Sequence, residues 1–534
     1  MIQSAVARMP ETPLGQHVDA VVVGAGAAGS LWAERLARTG KSVVVLEAGP
    51  AWELKDLKSS QIWARRLKWG GPEVLTGGKD RFGHNMSTGW GLGGAALHHY
   101  AGWPRLHAED FRTQSLYGRA VDWPIEYAEL RAWYDSIQSE MMLSGDAQAE
   151  VWRPPGAPYA QPPMRTFRQG ELITHGFHKL GMRVAPAPLA ILSQPVPGRM
   201  ACRYDGWCDA GCPIGALANP LITHIPRAVA AGAHFETRAS VTRVLIDGRG
   251  RAEGVVWRDA AGGEHLQRAD LTILAASTVQ NVRLLLASAE ARHPHGVANG
   301  SGLVGRGFSC HTVASAYGIF NEPTDNYLGV TAGQLISQDR YSKTARGREG
   351  AFGSHQWGIA PALKPNDLLG IANARSELWG ANLARFLERD GPRLGTLSAV
   401  CETLPGTERR IELAGERDAN GMPMARIVNT LDRDALDLNA DANRQGREIL
   451  EAAGALSTWN GMMAMAHALG GTVMGKDAGS SVCDSYGRAH EVANLIVAGG
   501  SLFPTAGGGG PTFTIYALAD RASDHVLKHW ASYV

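Results

Sequence analysis

Gly24, Gly26 and Gly29 form a G-x-G-x-x-G turn inside VVVGAGAAG (21–29), and Glu47 closes the next apolar run, VVVLEAG (43–49). This spacing is that of a dinucleotide site. Gly24 permits the tight strand-to-helix turn, Gly26 lets a pyrophosphate touch the backbone, and Gly29 lets helix and strand pack closely. The helix N-terminus then offers unpaired N–H groups and the positive end of its dipole to the phosphates. Glu47 stands where a carboxylate can accept from both ribose hydroxyls. A second chemical candidate is His467 in AHALGGTVMG (466–475), since an imidazole titrating near neutral pH is suited to taking a hydroxyl proton. A third is the trio Cys202, Cys208 and Cys212, spaced C-x5-C-x3-C and followed by Pro213. Thiolates at such spacing on a tight loop can converge on iron. Three readings of the trio stand: an iron–sulfur cluster, unligated thiols, or another metal. Zinc fits less well, because it wants four ligands and no histidine lies nearby in sequence.

The elements that must position these residues are readable from apolar patterning. Residues 18–49 read as strand, glycine turn, helix and strand, the first βαβ unit, and GWGLGGAALHHYAG (89–102) is a second glycine-rich ligand loop. DWP (122–124) opens a turn before an amphipathic helix running to about residue 142. The proline-rich stretch 150–200 reads as an extended surface excursion. LTILAAS (271–277) is a buried strand with the helix TVQNVRLLLAS after it. From about 315 to 450, short strands and turns precede one helical stretch, and from 458 the glycine-rich loops and the strand NLIVAGG resume the nucleotide fold. No fixed-period repeat is present.

Composition narrows the function classes. The chain has 534 residues, enough for two large lobes. A formal net charge of +1 leaves no electrostatic footprint for nucleic acid or an anionic membrane. With 65 glycines, the chain exceeds the usual share of about 7%, and many cluster in binding loops rather than low-complexity tracts. Six cysteines in a chain this long are no disulfide scaffold. Residues 1–18 hold no apolar stretch with a basic flank, and no apolar run reaches 18 residues, so neither a secretory leader nor a membrane-spanning helix is expected. The default compartment is the cytoplasm, with the periplasm open to a subunit co-exported with a partner.

The chain resembles the glucose–methanol–choline (GMC) flavoprotein oxidoreductases, and within them the catalytic subunits of bacterial FAD-dependent sugar and gluconate dehydrogenases. GLGGAALHHYAGWPRLHAEDF, DWPIEY, CDAGCPIGA, TVQNVRLLLAS, SGLVGRGFSCH and HALGGTVMG carry the likeness. It implies an α/β fold, glutathione-reductase-like, with a discontinuous Rossmann-like FAD-binding domain (15–314 and 456–534). An inserted substrate-binding domain of antiparallel sheet plus helices (315–455) completes it. It further implies cofactor contacts from Gly93, Gly94, His98, Val241, Ser501 and Thr512 beside Gly24, Gly26, Gly29 and Glu47. Hydride would pass from a CH–OH carbon to flavin N5 with His467 as base. His98 sits where some relatives attach FAD covalently; here a non-covalent residue packing near the flavin is expected.

The family normally places a second His or Asn just before Pro-Thr or Val-Thr near the C-terminus. Here that stretch is Gly507 to Gly510, Pro511 and Thr512, so the polar residue falls on Gly510. Either His467 works alone, or a residue from elsewhere fills the gap, or the chemistry is not ordinary alcohol oxidation. For Cys202, Cys208 and Cys212 the resemblance implies a 3Fe-4S cluster passing electrons onward. The function expected is oxidation of a sugar, polyol or other alcohol with a non-oxygen acceptor, in company with a small subunit and a haem or quinone acceptor. An oxidase of the same fold, producing hydrogen peroxide, and an FAD-retaining lyase or other non-oxidising relative are the alternatives.

Overall fold

The computed structural model describes residues 14–83, 86, 88–345 and 350–534. Residues 1–13, where no leader was expected, lie outside the described residues.

Two runs of apolar residues, Val18–Val23 and Val43–Glu47, form adjacent parallel strands because both faces of each are covered. The helix Ala27–Ala37 crosses between them, with Leu31, Trp32 and Leu36 wholly buried. His234–Thr237 extends the sheet beyond Val43–Glu47, and Glu264–Leu274 pairs on the other side of Val18–Val23. That eleven-residue strand changes partners along its length. Its later half runs parallel to Val18–Val23 from Ala269 to Leu274, while its earlier half is antiparallel to Ala252–Arg258, which in turn pairs with Ser240–Ile246. The seventh strand, Leu495–Val497, comes from the far end of the chain and pairs in parallel at Thr272–Leu274. The helix Thr512–Lys528 packs on Ala27–Ala37 and on Tyr127–Glu140.

The second seven-stranded sheet is antiparallel throughout. At its middle Ser309–Ile319 lies beside Leu394–Glu402, followed outward by His355–Ile359, Leu335–Ser337 and Ala185–Pro186. On its other side Ser309–Ile319 takes Ser457–Asn460 and, nearer its start, Ala464–Leu469. The helix Arg433–Ala452 covers one face, and its start is fixed by Asp432, whose carboxylate accepts from the Ala435 N–H at 2.9 Å. Leu438, Ala442, Ile449 and Leu450 of that helix bury against Ala314, Ala316, Trp357 and Leu397 of the sheet.

The stretch 150–200 departs from the surface excursion expected of it. Arg168–Lys179 is a helix whose Leu172, Ile173 and Phe177 enter the core of the antiparallel sheet. Leu189 to Leu192 are also buried. Prolines punctuate the segment, but its apolar residues carry it inward.

A small third sheet joins Val74–Gly77 in parallel to Pro423–Val428, which pairs with Arg410–Arg417. Among the described residues, no helix is long and apolar enough to cross a membrane.

Candidate active site

The first glycine turn has the shape its spacing demands. Gly24 sits at φ +98°, and a Cβ there would lie 2.7 Å from the Ala275 carbonyl oxygen on the neighbouring strand. A Cβ on Gly29 would overlap the Gly24 carbonyl at 2.0 Å, which is the close helix–strand packing expected of the third glycine. The second glycine-rich loop folds directly over the first. The Gly93 N–H donates to the Ala25 carbonyl at 3.0 Å, and a Cβ on Gly94 would come within 3.0 Å of the Gly26 Cα. Gly26, Gly93 and Gly94 thus form a cradle of bare backbone at the start of the helix Ala27–Ala37.

Glu47 ties this cradle together. One carboxylate oxygen accepts from the N–H groups of Gly49 (2.8 Å) and Gly91 (3.1 Å), the other from the Ala25 N–H at 2.9 Å. A carboxylate has about four acceptor positions, so roughly one remains for a ribose hydroxyl. Glu47→Ala is therefore expected to release both a ligand contact and the seam between the two loops. FAD should be lost from the variant on extended dialysis under conditions that leave the wild type loaded, with turnover recovering in excess FAD. Equal retention would remove the ribose assignment. Val241, half-buried on the strand Ser240–Ile246, lies beside the end of Val43–Glu47, where the Ala239 N–H donates to the Glu47 carbonyl at 2.9 Å.

His98 follows the turn Gly94–Leu97 and is buried, and among the described residues its Nε2 finds no hydrogen-bond partner. Burial, and then the Lys68 ammonium nearby, push its imidazole down to about 3, so the ring is neutral. An orphaned buried nitrogen next to a glycine cradle fits a cofactor that supplies the missing partner. Thr512, half-buried, begins the helix Thr512–Lys528. Ser501 is fully buried, and its hydroxyl accepts from Asn281 Nδ2 at 3.2 Å, so its side chain faces the helix Thr278–Ala287.

His467 lies on Ala464–Leu469, which pairs with Ser309–Ile319 through a register break between Ala466 and Leu469. Ala466 stands directly opposite His311, and alternation alone would send the next side chain to the other face. The bulge and a φ of +59° at His467 re-aim it instead. Its Nδ1 meets His311 Nδ1 at 3.0 Å, with the two rings nearly perpendicular. His467 is exposed, yet the protein packed around it, and then His311, push its imidazole down to about 3. The near-neutral titration expected of His467 is thus not what its surroundings give; the resting ring is neutral and has a lone pair for an incoming proton.

Sequence reasoning did not single out His311. It ends the quoted motif SGLVGRGFSCH, but only strand register brings it to His467. His311 is wholly buried, and its Nε2 donates to the Gly507 carbonyl at 2.8 Å. It is thus a second histidine beside the first, reached from a different strand than the C-terminal run where the family's polar residue was expected. At Gly510 itself, a Cβ would meet the Gly102 carbonyl oxygen at 3.1 Å. Behind the glycine run lies a buried ionic cluster. Lys343 Nζ contacts Asp110 (2.9 Å) and both oxygens of Glu402 (2.9 and 2.7 Å), and Tyr341 donates to the other Asp110 oxygen at 2.8 Å.

The cysteine trio stands one helix away. Gln61–Trp69 packs against both the Gly94–Leu97 turn and the turn Cys208–Ala210, and its Lys68 reaches Asp209 at 2.6 Å. No disulfide joins any of the six cysteines. Cys208 is buried, and Cys202 and Cys212 are half-buried. Each sulfur of the trio accepts one backbone N–H: Tyr204 on Cys202 (3.3 Å), Thr331 on Cys208 (3.5 Å) and Leu217 on Cys212 (3.4 Å). Burial pushes the Cys202 thiol up to about 12 and raises Cys208 and Cys212 as well; the thiols also act on one another. Without a bound cation these are neutral thiols, and only a metal would make them thiolates at neutral pH. Glu34, Glu140 and His224 also draw together, but Arg35 and Arg227 already balance their carboxylates.

Comparison with known proteins bears on this geometry. Family models described as GMC oxidoreductase match residues 18–313 and 405–519, well over half of the chain. The 2-methyl-1,2-propanediol dehydrogenase of Mycolicibacterium austroafricanum is 28% identical over 98% of this chain and 97% of its own length. The fructose dehydrogenase large subunit of Gluconobacter japonicus is 29% identical, covering 96% of this chain and 98% of its own. In structure, the formate oxidase of Aspergillus oryzae, a protein in which FAD is modified, superposes with a TM-score of 0.64 at 16% identity, over 98% of this chain and all of that one.

Proposed function

Since this chain belongs to the GMC oxidoreductase family, whose members are FAD-binding flavoproteins, we propose that it is an FAD-dependent dehydrogenase acting on the CH–OH group of a sugar, polyol or other alcohol. The observations that carry the reading are the bare backbone of Gly26, Gly93 and Gly94, with a His98 nitrogen beside it that has no partner among the described residues, and an exposed, neutral His467. FAD bound there supplies the hydride acceptor. The protein's part is to hold the cofactor along the cradle, to keep water from the buried side of His98, and to take the hydroxyl proton on His467. In this reading 15–314 and 456–534 hold the cofactor while 315–455 presents the substrate. The named relatives include dehydrogenases of a diol and of a sugar, which favours alcohols of this class and a non-oxygen acceptor.

The test is anaerobic mixing of the FAD-loaded protein with a panel of sugars, polyols and simple alcohols while flavin absorbance is followed. Bleaching by at least one of them is the expected result; no bleaching by any would favour a non-oxidising relative of the same fold. Stoichiometric oxygen consumption during aerobic turnover would make the enzyme an oxidase instead.

A cluster on Cys202, Cys208 and Cys212 belongs to the same proposal as the electron exit. An N–H donated to each sulfur is the kind of hydrogen bond that iron-bound thiolates accept. Protein purified without oxygen is expected to contain iron and acid-labile sulfide and to show broad absorption beneath the flavin bands. A clean flavin spectrum without iron would return the trio to structural thiols. A haem- or quinone-bearing partner would then have no cluster to draw on.

A further inference from the structure

We propose that His311 is a positioning residue for His467, holding it in the tautomer whose bare Nε2 accepts the substrate proton. The inference deepens the reading above and rests on it for the role of His467, but the tautomer itself is a property of the resting protein. The argument starts from the Gly507 carbonyl, which can only accept. His311 Nε2 lies 2.8 Å from it and must therefore carry a hydrogen. Burial pushes the His311 imidazole down to about 4, so the ring is neutral and its Nδ1 offers only a lone pair. His467 Nδ1 stands 3.0 Å from that lone pair and can bond to it only as a donor. The His467 hydrogen is thus on Nδ1, and Nε2 is left bare. The reverse arrangement would set two lone pairs against each other at hydrogen-bonding distance. When His467 gains a proton on Nε2, its Nδ1–H keeps the same partner, so neither ring has to turn.

The orientation is anchored from behind. The peptide linking Gly507 to Gly508 offers its carbonyl to His311 and its N–H to the Tyr341 hydroxyl at 3.1 Å. Tyr341 in turn donates to Asp110, which Lys343 grips. Glycine is required for this peptide to pass between the two side chains. Gly507 sits at φ +64°, where a Cβ would come 2.6 Å from Leu106 Cδ2, and a Cβ on Gly508 would lie 2.7 Å from the Ser354 Cβ. The run that lacks the family's polar residue therefore provides, through one carbonyl, the acceptor that sets the hydrogens on two histidines.

The test uses FAD-loaded protein labelled with nitrogen-15 at histidine, the His467 signals being identified by their loss in His467→Gln. The wild type should show a protonated Nδ1 and a bare Nε2 on His467. His311→Leu should lose that preference and reduce flavin about 10- to 100-fold more slowly, a part of the 10²- to 10⁴-fold that a base in the right protonation state supplies. His311→Asn, whose side-chain oxygen can stand near the lost Nδ1, should restore both in large part. A protonated Nε2 on His467 in the wild type would overturn the proposal, as would an unchanged tautomer in His311→Leu. Should the leucine variant fail to fold, the wild-type and asparagine spectra still decide it. Failure of every alcohol to bleach the wild-type flavin would instead sink the dehydrogenase reading and leave the tautomer result standing.

Discussion

His467→Ala should give a folded, FAD-loaded protein whose flavin is reduced by its alcohol substrate at least about 100-fold more slowly than in the wild type. The size follows from what is removed. A positioned base is worth about 10²- to 10⁴-fold, and 100-fold corresponds to about 2.7 kcal/mol of transition-state stabilisation. Folding should suffer only modestly, because His467 is exposed and the change leaves one buried acceptor, His311 Nδ1, without its partner, a cost of about 1–3 kcal/mol. FAD content and rapid-reaction traces on the same sample separate the two effects. Wild-type reduction kinetics in the variant would take the base away from His467.

The second large effect is on stability. Lys343→Met should destabilise the protein by about 3–5 kcal/mol, the range found when one partner of a buried ion pair is deleted. Burial alone would depress the Lys343 ammonium, but Asp110 and Glu402 outweigh it and hold the charge on. All three side chains are fully buried. Methionine fills the space and leaves two carboxylates facing one another with no cation between them. Other donors to them persist, the His107 N–H and Tyr341 on Asp110 and the Ser354 N–H on Glu402, and these soften the loss. The double variant Lys343→Met/Glu402→Gln should regain part of the stability, since it removes one of the uncompensated charges. Thermal melting of the three proteins checks this; a single variant melting with the wild type would show that the lysine is not what balances the carboxylates. Because Tyr341 links Asp110 to Gly508, partial loss of activity should accompany the loss of stability.

The cofactor half of the fold was legible because its signals are local. Val18–Val23 and Val43–Glu47 read as buried strands from their apolar runs, and the glycine turn between them reads from three positions within a span of six residues. The antiparallel lobe was legible in kind, as short strands before a helix. His311 was not legible as a partner of His467, because the two lie 156 residues apart in sequence and meet through a bulge. No spacing rule reports such a register. Lys343, Asp110 and Glu402 escaped for the same reason: each reads alone as an ordinary surface charge, and only the fold gathers them. The segment 150–200 misled through its prolines, which mark turns but say nothing about whether Leu172, Ile173 and Phe177 point inward.

The pairing of Leu495–Val497 with Glu264–Leu274, and of Val74–Gly77 with Pro423–Val428, also dictates an order of events during synthesis. A nascent chain leaving the ribosome exposes its first two strands and the glycine turn early, but the edge of Glu264–Leu274 and the face of the helix Ala27–Ala37 stay uncovered until Leu495–Val497 and Thr512–Lys528 emerge. At about 5–20 residues per second, that is tens of seconds with an apolar strand edge open to other chains. The chain's own tail is the cover, so removing the segment from Leu495 onward should yield protein that chaperones hold or that aggregates, even though every residue of the G-x-G-x-x-G turn is present.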